Sequence, residues 1–549
     1  MTKTLIIGGV AGGATAAARL RRLDEKAQIV MLERGEYISF ANCGLPYYIG
    51  DKISDRDELI LQTPESLNAR FAIDVRDLSQ ALSIDCANKT VQVKDLRSGK
   101  IYDESYDKLL LSPGAAPLVP PLPGLDDGRV FTLRNIADTF SIKDYILQRK
   151  PQKAVVVGGG YIGLEMAENL QAAGLSVTVV EATDHVITAL DYDMACEVHN
   201  HLREKGVRLL LKQSLQACRP TDDGLVLQLT DEEITADMLL LSIGVRPESQ
   251  LAQTAGLAVD KKGAVVVDVH MRTSDPHIYA VGDVVQAVNL VSEQPDYIPL
   301  AGPANKQARI AANNIFGLNS IYVGTQGSAI LKCFDLTVAM TGISEDKARK
   351  QGIDYEKSFT YSFSHATYYP DAEGMSIKII FDKNDGQLLG AQIVGFTGVD
   401  KRIDVLATAI RAGMSVYDLT ELELAYAPPY SSAKDPVNMA GCVAENILAG
   451  RVKIIHWHDI AALPRDGSVT LLDVRTEEEF ADGSIDGFIN IPIDELRPNL
   501  QRLDNAKPIY VLCHSALRSY IACQILEEHD FDCYNISGGW RLYSSIFAN

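Results

Sequence analysis

The sequence contains no uninterrupted apolar stretch of about 18 residues, the length a membrane-spanning helix requires, so no membrane segment is expected. It also lacks a basic excess. Its 72 acidic residues outnumber 52 basic ones, giving a formal net charge of −20, which argues against nucleic acid or an anionic membrane as a partner. The 9 cysteines, at positions 43, 86, 196, 218, 333, 442, 513, 523 and 533, form no disulfide framework and show no metal-ligand spacing. Neither a metal nor an oxidising compartment is therefore expected, and a cytoplasmic setting fits. No signal peptide is expected, because the apolar run after Lys3 is broken by paired glycines in the order strand, turn, helix. At 549 residues the chain has room for about three or four domains.

What the sequence does contain is an internal echo. Leu5-Ile6-Ile7-Gly8-Gly9-Val10-Ala11-Gly12-Gly13, then a helix, then Ile29-Val30-Met31-Leu32-Glu33, recurs as Ala154-Val155-Val156-Val157-Gly158-Gly159-Gly160-Tyr161-Ile162-Gly163, a helix, and Val177-Thr178-Val179-Val180-Glu181. Each copy reads β-α-β. In such a unit glycines let the backbone approach a pyrophosphate at a helix N-terminus, and the acid closing the second strand accepts from a ribose hydroxyl. The first copy departs from the pattern at Val10, where a central glycine is usual. Glu181 favours NADH over NADPH, since a carboxylate repels a 2′-phosphate, although NADPH stays open. Two further strands end in turns that suit a split FAD domain: Leu111-Ser112-Pro113-Gly114-Ala115, and Ile278-Tyr279-Ala280-Val281-Gly282-Asp283, whose acid suits ribityl hydroxyls.

Between the two copies lies a lone cysteine, in Ser39-Phe40-Ala41-Asn42-Cys43-Gly44-Leu45-Pro46-Tyr47. A thiol with a pKa of about 8.5 is mostly protonated at neutral pH, so a reactive Cys43 requires a helix N-terminus, a cation or a charge-transfer partner. No second cysteine lies within a turn of it, so its partner sulfur would arrive on a small molecule. The alternative is a buried structural cysteine. After the first glycine loop, Thr15, Arg19 and Arg22 fall at i, i+4 and i+7 on one helix face. With Arg70, Lys306 and Arg309 they would form an anion pocket in a globally acidic protein; a solvated charged face is the alternative reading.

The order of these segments resembles the flavin-dependent pyridine nucleotide-disulfide oxidoreductases over residues 1–445. That resemblance implies FAD on the first unit, held by Gly8, Gly9, Val10, Ala11, Gly12, Gly13, Glu33, Arg34, Ser112, Pro113, Gly114, Asp283 and Ala301. It implies NAD(P)H on the second, held by Gly158, Gly160, Tyr161, Ile162, Gly163 and Glu181, and a C-terminal dimerisation domain. Ser39-Phe40-x-x-Cys43-Gly44 looks like the single-cysteine branch of NADH oxidases, NADH peroxidases and coenzyme A disulfide reductases. The first two place a histidine in the first glycine loop, where this chain has Ala11. The dithiol reductases place a His-Glu pair near the C-terminus, where this chain has Leu424-Ala425-Tyr426-Ala427-Pro428-Pro429-Tyr430. The resemblance to coenzyme A disulfide reductases assigns coenzyme A to Thr15, Arg19, Arg22, Ser39, Asn42 and Asn305. It also places Tyr368 and Tyr426 of the partner subunit over the reactive cysteine, making a homodimer necessary for activity; core tyrosines are the alternative.

Residues 455–549 have their own α/β pattern. Ile509-Tyr510-Val511-Leu512 runs into Cys513-His514-Ser515-Ala516-Leu517-Arg518-Ser519 and then a helix from about Tyr520. Backbone N–H groups of such a loop at a helix N-terminus stabilise a thiolate or persulfide on Cys513, with Arg518 adding positive charge. C-x4-R makes a cradle sized for sulfur. With Asp473-Val474-Arg475, Gly487-Phe488-Ile489-Asn490-Ile491-Pro492 and Gly538-Gly539-Trp540, the segment resembles a rhodanese domain, with Ala516 where rhodaneses usually place glycine. A degenerate domain used only for packing is the alternative.

The expected architecture is α/β: two Rossmann-like nucleotide-binding domains, an α+β dimerisation domain and an α/β rhodanese domain. The expected boundaries are FAD 1–113 and 266–325, NAD(P)H 114–265, dimerisation 326–445, linker 446–454 and rhodanese 455–549. The expected activity is NAD(P)H-driven, FAD-dependent reduction of coenzyme A disulfide, coenzyme A persulfide or polysulfide through a Cys43–S–S–coenzyme A mixed disulfide, with Cys513 handling sulfane sulfur. The rivals are an NADH oxidase or peroxidase cycling Cys43 through sulfenic acid, and a non-catalytic flavoprotein with a sulfur-carrier docking module.

Overall fold

The computed structural model describes residues 2–547. The chain forms two compact units, Met1–Ile187 with Gly206–Gly327, and Thr188–Lys205 with Ser328–Asn549. All 9 cysteines are free thiols. No helix among the described residues is long and apolar enough to cross a membrane.

The first unit contains two parallel five-stranded sheets. In the first, the strands run Ile278–Ala280, Lys108–Leu111, Lys3–Ile7, Gln28–Leu32 and Asp74–Arg76 across the sheet. Leu5 pairs with Val30 on one side and with Leu109 on the other. Helices cover such a sheet on both faces, which is why its strands read as continuous apolar runs rather than alternating ones. The crossover helix Ala11–Leu23 buries Ala16, Ala17 and Leu20. It packs against the helix Ala301–Ile315, whose inner face is also alanine-rich, with Ala304, Ala308, Ala311 and Ala312 buried. Small side chains bring those two axes close together.

The second sheet repeats the plan with Arg208–Leu211, Ser176–Glu181, Lys153–Val157, Met238–Leu241 and Val130–Phe131 in order. The strand-to-helix turns of the two sheets match closely. Gly8 and Gly158 lie at φ +100° and +109°, a region that side chains rarely adopt. A Cβ on Gly13 or Gly163 would stand 1.8 or 1.9 Å from the carbonyl oxygen of Gly8 or Gly158. Val10 is tolerated in the first turn because its φ is −95°, so no glycine is needed there.

The second unit holds an antiparallel sheet, ordered Ala329–Cys333, Leu336–Gly342, Leu388–Gly395, Gly374–Asp382 and Tyr355–Phe363. Beneath it Lys378, wholly buried, makes ion pairs of 2.9, 2.8 and 2.9 Å with Asp191, Asp193 and Glu345; Lys357 shares Glu345 at 2.7 Å. Buried charges persist where they are matched in this way. The helix Tyr192–Glu204, which the expected boundaries assign to the second nucleotide domain, belongs to this unit. Its buried face packs on the sheet and on the C-terminal helix Gly539–Phe547.

The C-terminal sheet is parallel, ordered Ile454–Ile455, Cys533–Ile536, Ile509–Leu512, Thr470–Asp473 and Ile489–Asn490. It is seated on the rest of the unit by polar contacts. His456 Nε2 lies 2.9 Å from Glu356 Oε1, and Trp457 Nε1 donates to Asp193 Oδ2 at 3.3 Å. The Arg541 guanidinium lies over the Tyr361 ring at 4.6 Å and faces Glu197 at 4.0 Å.

The helix Pro436–Leu448 begins where Asp435 caps it by accepting from the Val437 N–H. Two local expectations shift. Of the expected linker 446–454, residues 446–448 finish that helix, 449–453 are the connecting turn and 454 opens a strand. The last expected helix begins at Leu517 instead of near Tyr520, since Ala516 turns left-handed and closes the loop one step earlier.

Candidate active site

A cleft of about 820 Å³ opens along the C-terminal ends of the first sheet, where ligands bind in open α/β folds. Gly8, Val10, Ala11, Gly12, Glu33, Arg34, Asn42, Ser112, Pro113, Gly114 and Asp283 line it. Gly9 and Gly13 support the turn from behind. The Glu33 carboxylate accepts from the Gly9 N–H at 2.9 Å and the Gly35 N–H at 2.8 Å, so it is held at the strand end facing the cleft. Ser112 Oγ donates toward the Gly8 carbonyl at 3.0 Å and fixes the turn. Burial pushes the Asp283 carboxyl above its ordinary pKa, opposed by Arg134. A fixed acid at one end, a glycine turn at a helix N-terminus and a second acid at the other end fit a dinucleotide. Ala301 begins its helix exposed at the surface, and Ala304, one turn further on, reaches the cleft wall.

The second copy reproduces this arrangement. Glu181 Oε2 accepts from the Gly159 N–H at 2.7 Å, and its Oε1 accepts from the Thr183 N–H at 2.9 Å. Gly160 is the cap of the helix Tyr161–Ala172, which carries Ile162 and Gly163 in its first turn. Ser242 Oγ donates to the Gly158 carbonyl at 3.0 Å and is the counterpart of Ser112. That match was legible in Leu109-Leu110-Leu111-Ser112-Pro113-Gly114 against Leu239-Leu240-Leu241-Ser242-Ile243-Gly244 and was missed. Also missed was the cleft pair Arg134 and Glu248, 2.8 Å apart, with Arg134 donating to the Pro113 carbonyl at 2.9 Å. No local motif marks these two.

Cys43 lies in a short 3-10 turn, Asn42–Gly44, beside the cleft wall, and is exposed. The turn is set by Ser39, which adopts φ +43°. Its N–H donates to the Gly9 carbonyl at 2.9 Å and its carbonyl accepts from the Leu61 N–H at 3.0 Å. A non-glycine residue held there costs about 1–3 kcal/mol and is typical of sites where geometry matters. The expected lowering of the thiol pKa is not found in the chain itself. Surrounding protein atoms desolvate the sulfur, and the carboxylates of Glu165 and Asp283 add to the effect, so the pKa is pushed above the ordinary thiol value. Glu165 is itself pushed up to about 7 by burial, and the Tyr47 hydroxyl lies 3.4 Å from its Oε1.

The structure brings together most of the expected anion pocket. Thr15 Oγ1 donates to Asn305 Oδ1 at 2.7 Å, and Arg19 Nε donates to Asn313 Oδ1 at 2.9 Å. Arg309 and Arg22 stand close enough to Arg19 to oppose its charge electrostatically. Lys306 is exposed on the same helix as Asn305 and Arg309. Arg70 is exposed on the helix Pro64–Phe71, and no hydrogen bond or ion pair ties it to this group among the described residues.

In the second unit the hydroxyls of Tyr368 and Tyr426 are 2.8 Å apart on exposed side chains. The second thiol centre is there too. Cys513, with no exposed surface, sits at the floor of a loop gripped from behind: the Trp540 N–H donates to its carbonyl at 2.8 Å, and the Arg541 N–H donates to the His514 carbonyl at 3.0 Å. A Cβ on Gly539 would stand 2.6 Å from the Cys513 carbonyl, so glycine is required for that grip. Ser519 Oγ lies 3.3 Å from the thiol sulfur and 2.6 Å from Asn535 Oδ1. Ala516 adopts φ +67°, the conformation that makes glycine usual at this point of the loop. Arg518, the expected cation for the sulfur, forms a two-point ion pair with Glu479, both contacts at 2.7 Å, while the charge of Cys513 still acts on it; Glu479 is pulled down to about 2, chiefly by that bond.

Sequence relationships agree with this layout. Residues 2–308 match the pyridine nucleotide-disulphide oxidoreductase family, residues 328–436 its dimerisation domain, and residues 457–545 a rhodanese-like domain. The chain belongs to the pyridine nucleotide-disulphide oxidoreductase family, and is an enzyme dependent on FAD and NAD(P)H. Within the family it is 38% identical over 448 residues to a coenzyme A disulfide reductase of Staphylococcus haemolyticus, covering 81% of this chain and all of that one. The fold of reduced Bacillus anthracis CoADR-RHD covers 100% of this chain and 98% of its own, with 47% identity and a TM-score of 0.97. A NAD-dependent persulfide reductase from A. fulgidus gives 39% identity and a TM-score of 0.93, covering 98% of this chain and 100% of its own. The reaction class is thus FAD- and NAD-dependent reduction of a disulfide or persulfide.

Proposed function

We propose that this chain reduces coenzyme A disulfide, coenzyme A persulfide or polysulfide through a mixed disulfide between Cys43 and coenzyme A. The observation that carries the reading is Cys43, a lone exposed thiol beside the dinucleotide cleft, in a unit that also gathers Thr15, Asn305, Arg19, Arg22 and Arg309 into a basic cluster suited to a phosphorylated adenosine. FAD, when bound, supplies two-electron transfer between NAD(P)H and a sulfur–sulfur bond.

The residues of the chain divide the remaining work. Glu33 and Asp283 accept hydroxyls of the flavin nucleotide, and Glu181 accepts those of the nicotinamide nucleotide. The Cys43 thiolate attacks one sulfur of coenzyme A disulfide. The old S–S bond breaks, a coenzyme A thiolate leaves, and a Cys43–S–S–coenzyme A bond remains. Two electrons and a proton then reopen that bond and restore the Cys43 thiolate with a second coenzyme A thiol. In a homodimer, Tyr368 and Tyr426 of the partner subunit donate a proton to the leaving thiolate. Cys513 exchanges sulfane sulfur as a persulfide. The cycle needs reduced thiols, which suits a cytoplasmic setting.

The test is NADH consumption with coenzyme A disulfide and with polysulfide, for Cys43→Ser and Cys513→Ser separately. Loss of both activities in Cys43→Ser is expected. Full activity in that variant overturns the reading, whereas an unaffected Cys513→Ser removes only the role of the second thiol. Oxygen consumed in proportion to NADH, without coenzyme A, would support the oxidase alternative, which Ala11 in the first glycine loop disfavours.

A further inference from the structure

The loop around Cys513 is surrounded by arginines, yet none of three is free. Arg475 is buried and ion-paired with Asp473 at 2.7 Å. Arg541 faces Glu197 at 4.0 Å. Arg518, the cation nearest the thiol in sequence terms, spends both terminal nitrogens on Glu479. Glu479 is fixed for that task. Its Oε2 also accepts from the Thr476 N–H at 2.9 Å, while the Thr476 hydroxyl accepts from the Glu479 N–H at 3.2 Å, a reciprocal cap that leaves the carboxylate little freedom to swing away. Two more acids, Glu477 and Glu478, stand in the same turn. On the neighbouring helix Leu517 and Ile521, one turn apart, are exposed at 58 and 43%. Each of the three arginines is therefore set against a carboxylate, with an apolar strip beside the loop.

We infer that Glu479 is a specificity-determining residue of the Cys513 centre: by holding Arg518 it turns away oxyanion sulfur donors such as thiosulfate and selects organic persulfides whose carbon stem lies on Leu517 and Ile521. Thiosulfate presents a sulfonate at the mouth of the loop and releases sulfite, so it needs an uncommitted cation both to bind and to leave. An alkyl persulfide has no such need. The Cys513 thiolate attacks its outer sulfur, the S–S bond breaks, the alkyl thiolate leaves and takes a proton, and Cys513 keeps the sulfur as Cys513–S–SH. An acceptor nucleophile then attacks that outer sulfur and restores the thiolate, with no net oxidant or reductant. This inference rests on the sulfane-sulfur reading given above for Cys513.

The test uses the full-length, FAD-loaded protein without NADH. Cyanide is the acceptor, thiocyanate formation is the readout, and the rate in Cys513→Ser is subtracted. Pantetheine persulfide and thiosulfate are the two donors. Wild type is expected to use the persulfide and to use thiosulfate poorly. Glu479→Gln keeps the helix cap and frees Arg518, so it should raise kcat/KM for thiosulfate by about tenfold while the persulfide value stays within about threefold. Glu479→Gln combined with Arg518→Ala should lose that gain. Unchanged reduction of coenzyme A disulfide by NADH at Cys43 confirms that each variant is folded. Persulfide turnover with no thiosulfate gain in Glu479→Gln, or a gain that survives loss of Arg518, overturns the inference and leaves the sulfane-sulfur role standing. No Cys513-dependent turnover of persulfide in wild type overturns that role itself.

Discussion

The phenol oxygens of Tyr368 and Tyr426 lie 2.8 Å apart, although both side chains are exposed, at 74 and 46%. A hydrogen bond formed on an open face contributes little to stability, since water competes for both groups; what it fixes is the mutual orientation of the two phenols, leaving one hydroxyl proton uncommitted. Tyr368→Phe and Tyr426→Phe should each lower kcat for coenzyme A disulfide by about tenfold or more, and the double variant should lose little beyond either single one. If the pair acts across a dimer, mixing Cys43→Ser chains with Tyr368→Phe chains should restore activity, because one of the two sites then has an intact thiol and an intact phenol pair. Steady-state rates of the mixed and unmixed proteins decide this.

Charge around Cys43 makes a second prediction. Glu165 is a carboxylate above pH of about 7, and its charge favours the neutral thiol. Glu165→Gln removes that charge at every pH, so the thiolate should form at lower pH than in wild type. Alkylation by iodoacetamide, followed across pH 6–10, should show the variant's curve displaced to the acid side, with a rate about threefold higher at neutral pH. A displacement to the alkaline side would show that Glu165 acts by some route other than its charge.

Glu181 should govern the choice of nicotinamide nucleotide. Its carboxylate is held by two backbone N–H groups at the end of its strand, positioned to accept a ribose hydroxyl and to repel a phosphate there. Glu181→Ala should lower kcat/KM for NADH by about tenfold and narrow the gap to NADPH, measured from both nucleotides at fixed coenzyme A disulfide.

Ala516 occupies a left-handed conformation that suits glycine, at a cost of about 1–2 kcal/mol. Ala516→Gly should therefore raise the unfolding temperature of the C-terminal transition in calorimetry, with sulfur transfer at Cys513 retained. A fall in that temperature would mean that the alanine methyl makes packing contacts worth more than the backbone strain.

The nucleotide folds were legible because they rest on short-range rules. Gly8, Gly13, Glu33 and their copies Gly158, Gly163 and Glu181 carry the whole turn, and the apolar runs behind them carry the sheets. The loop at Cys513 was legible for the same reason. What escaped was pairing at long range. Nothing near Arg518 in sequence announces Glu479, 39 residues earlier, and nothing near Arg134 announces Glu248, 114 residues later. The two acids that work against a Cys43 thiolate escaped for a related reason: Glu165 and Asp283 reach the thiol only through the fold. Ser242 is the one omission the sequence could have prevented, since it stands at the same offset in the echo as Ser112.

The C-terminal module covers charges and a ring of the rest of its unit: Arg541 is the cation set against Glu197 and the lid over the Tyr361 ring, and Trp457 donates to Asp193. Homologues whose chains stop before this module have no such plug. This chain clipped after residue 450 would open Glu197, Asp193 and the Tyr361 ring to water, so removal of the module is expected to cost the rest of the unit stability.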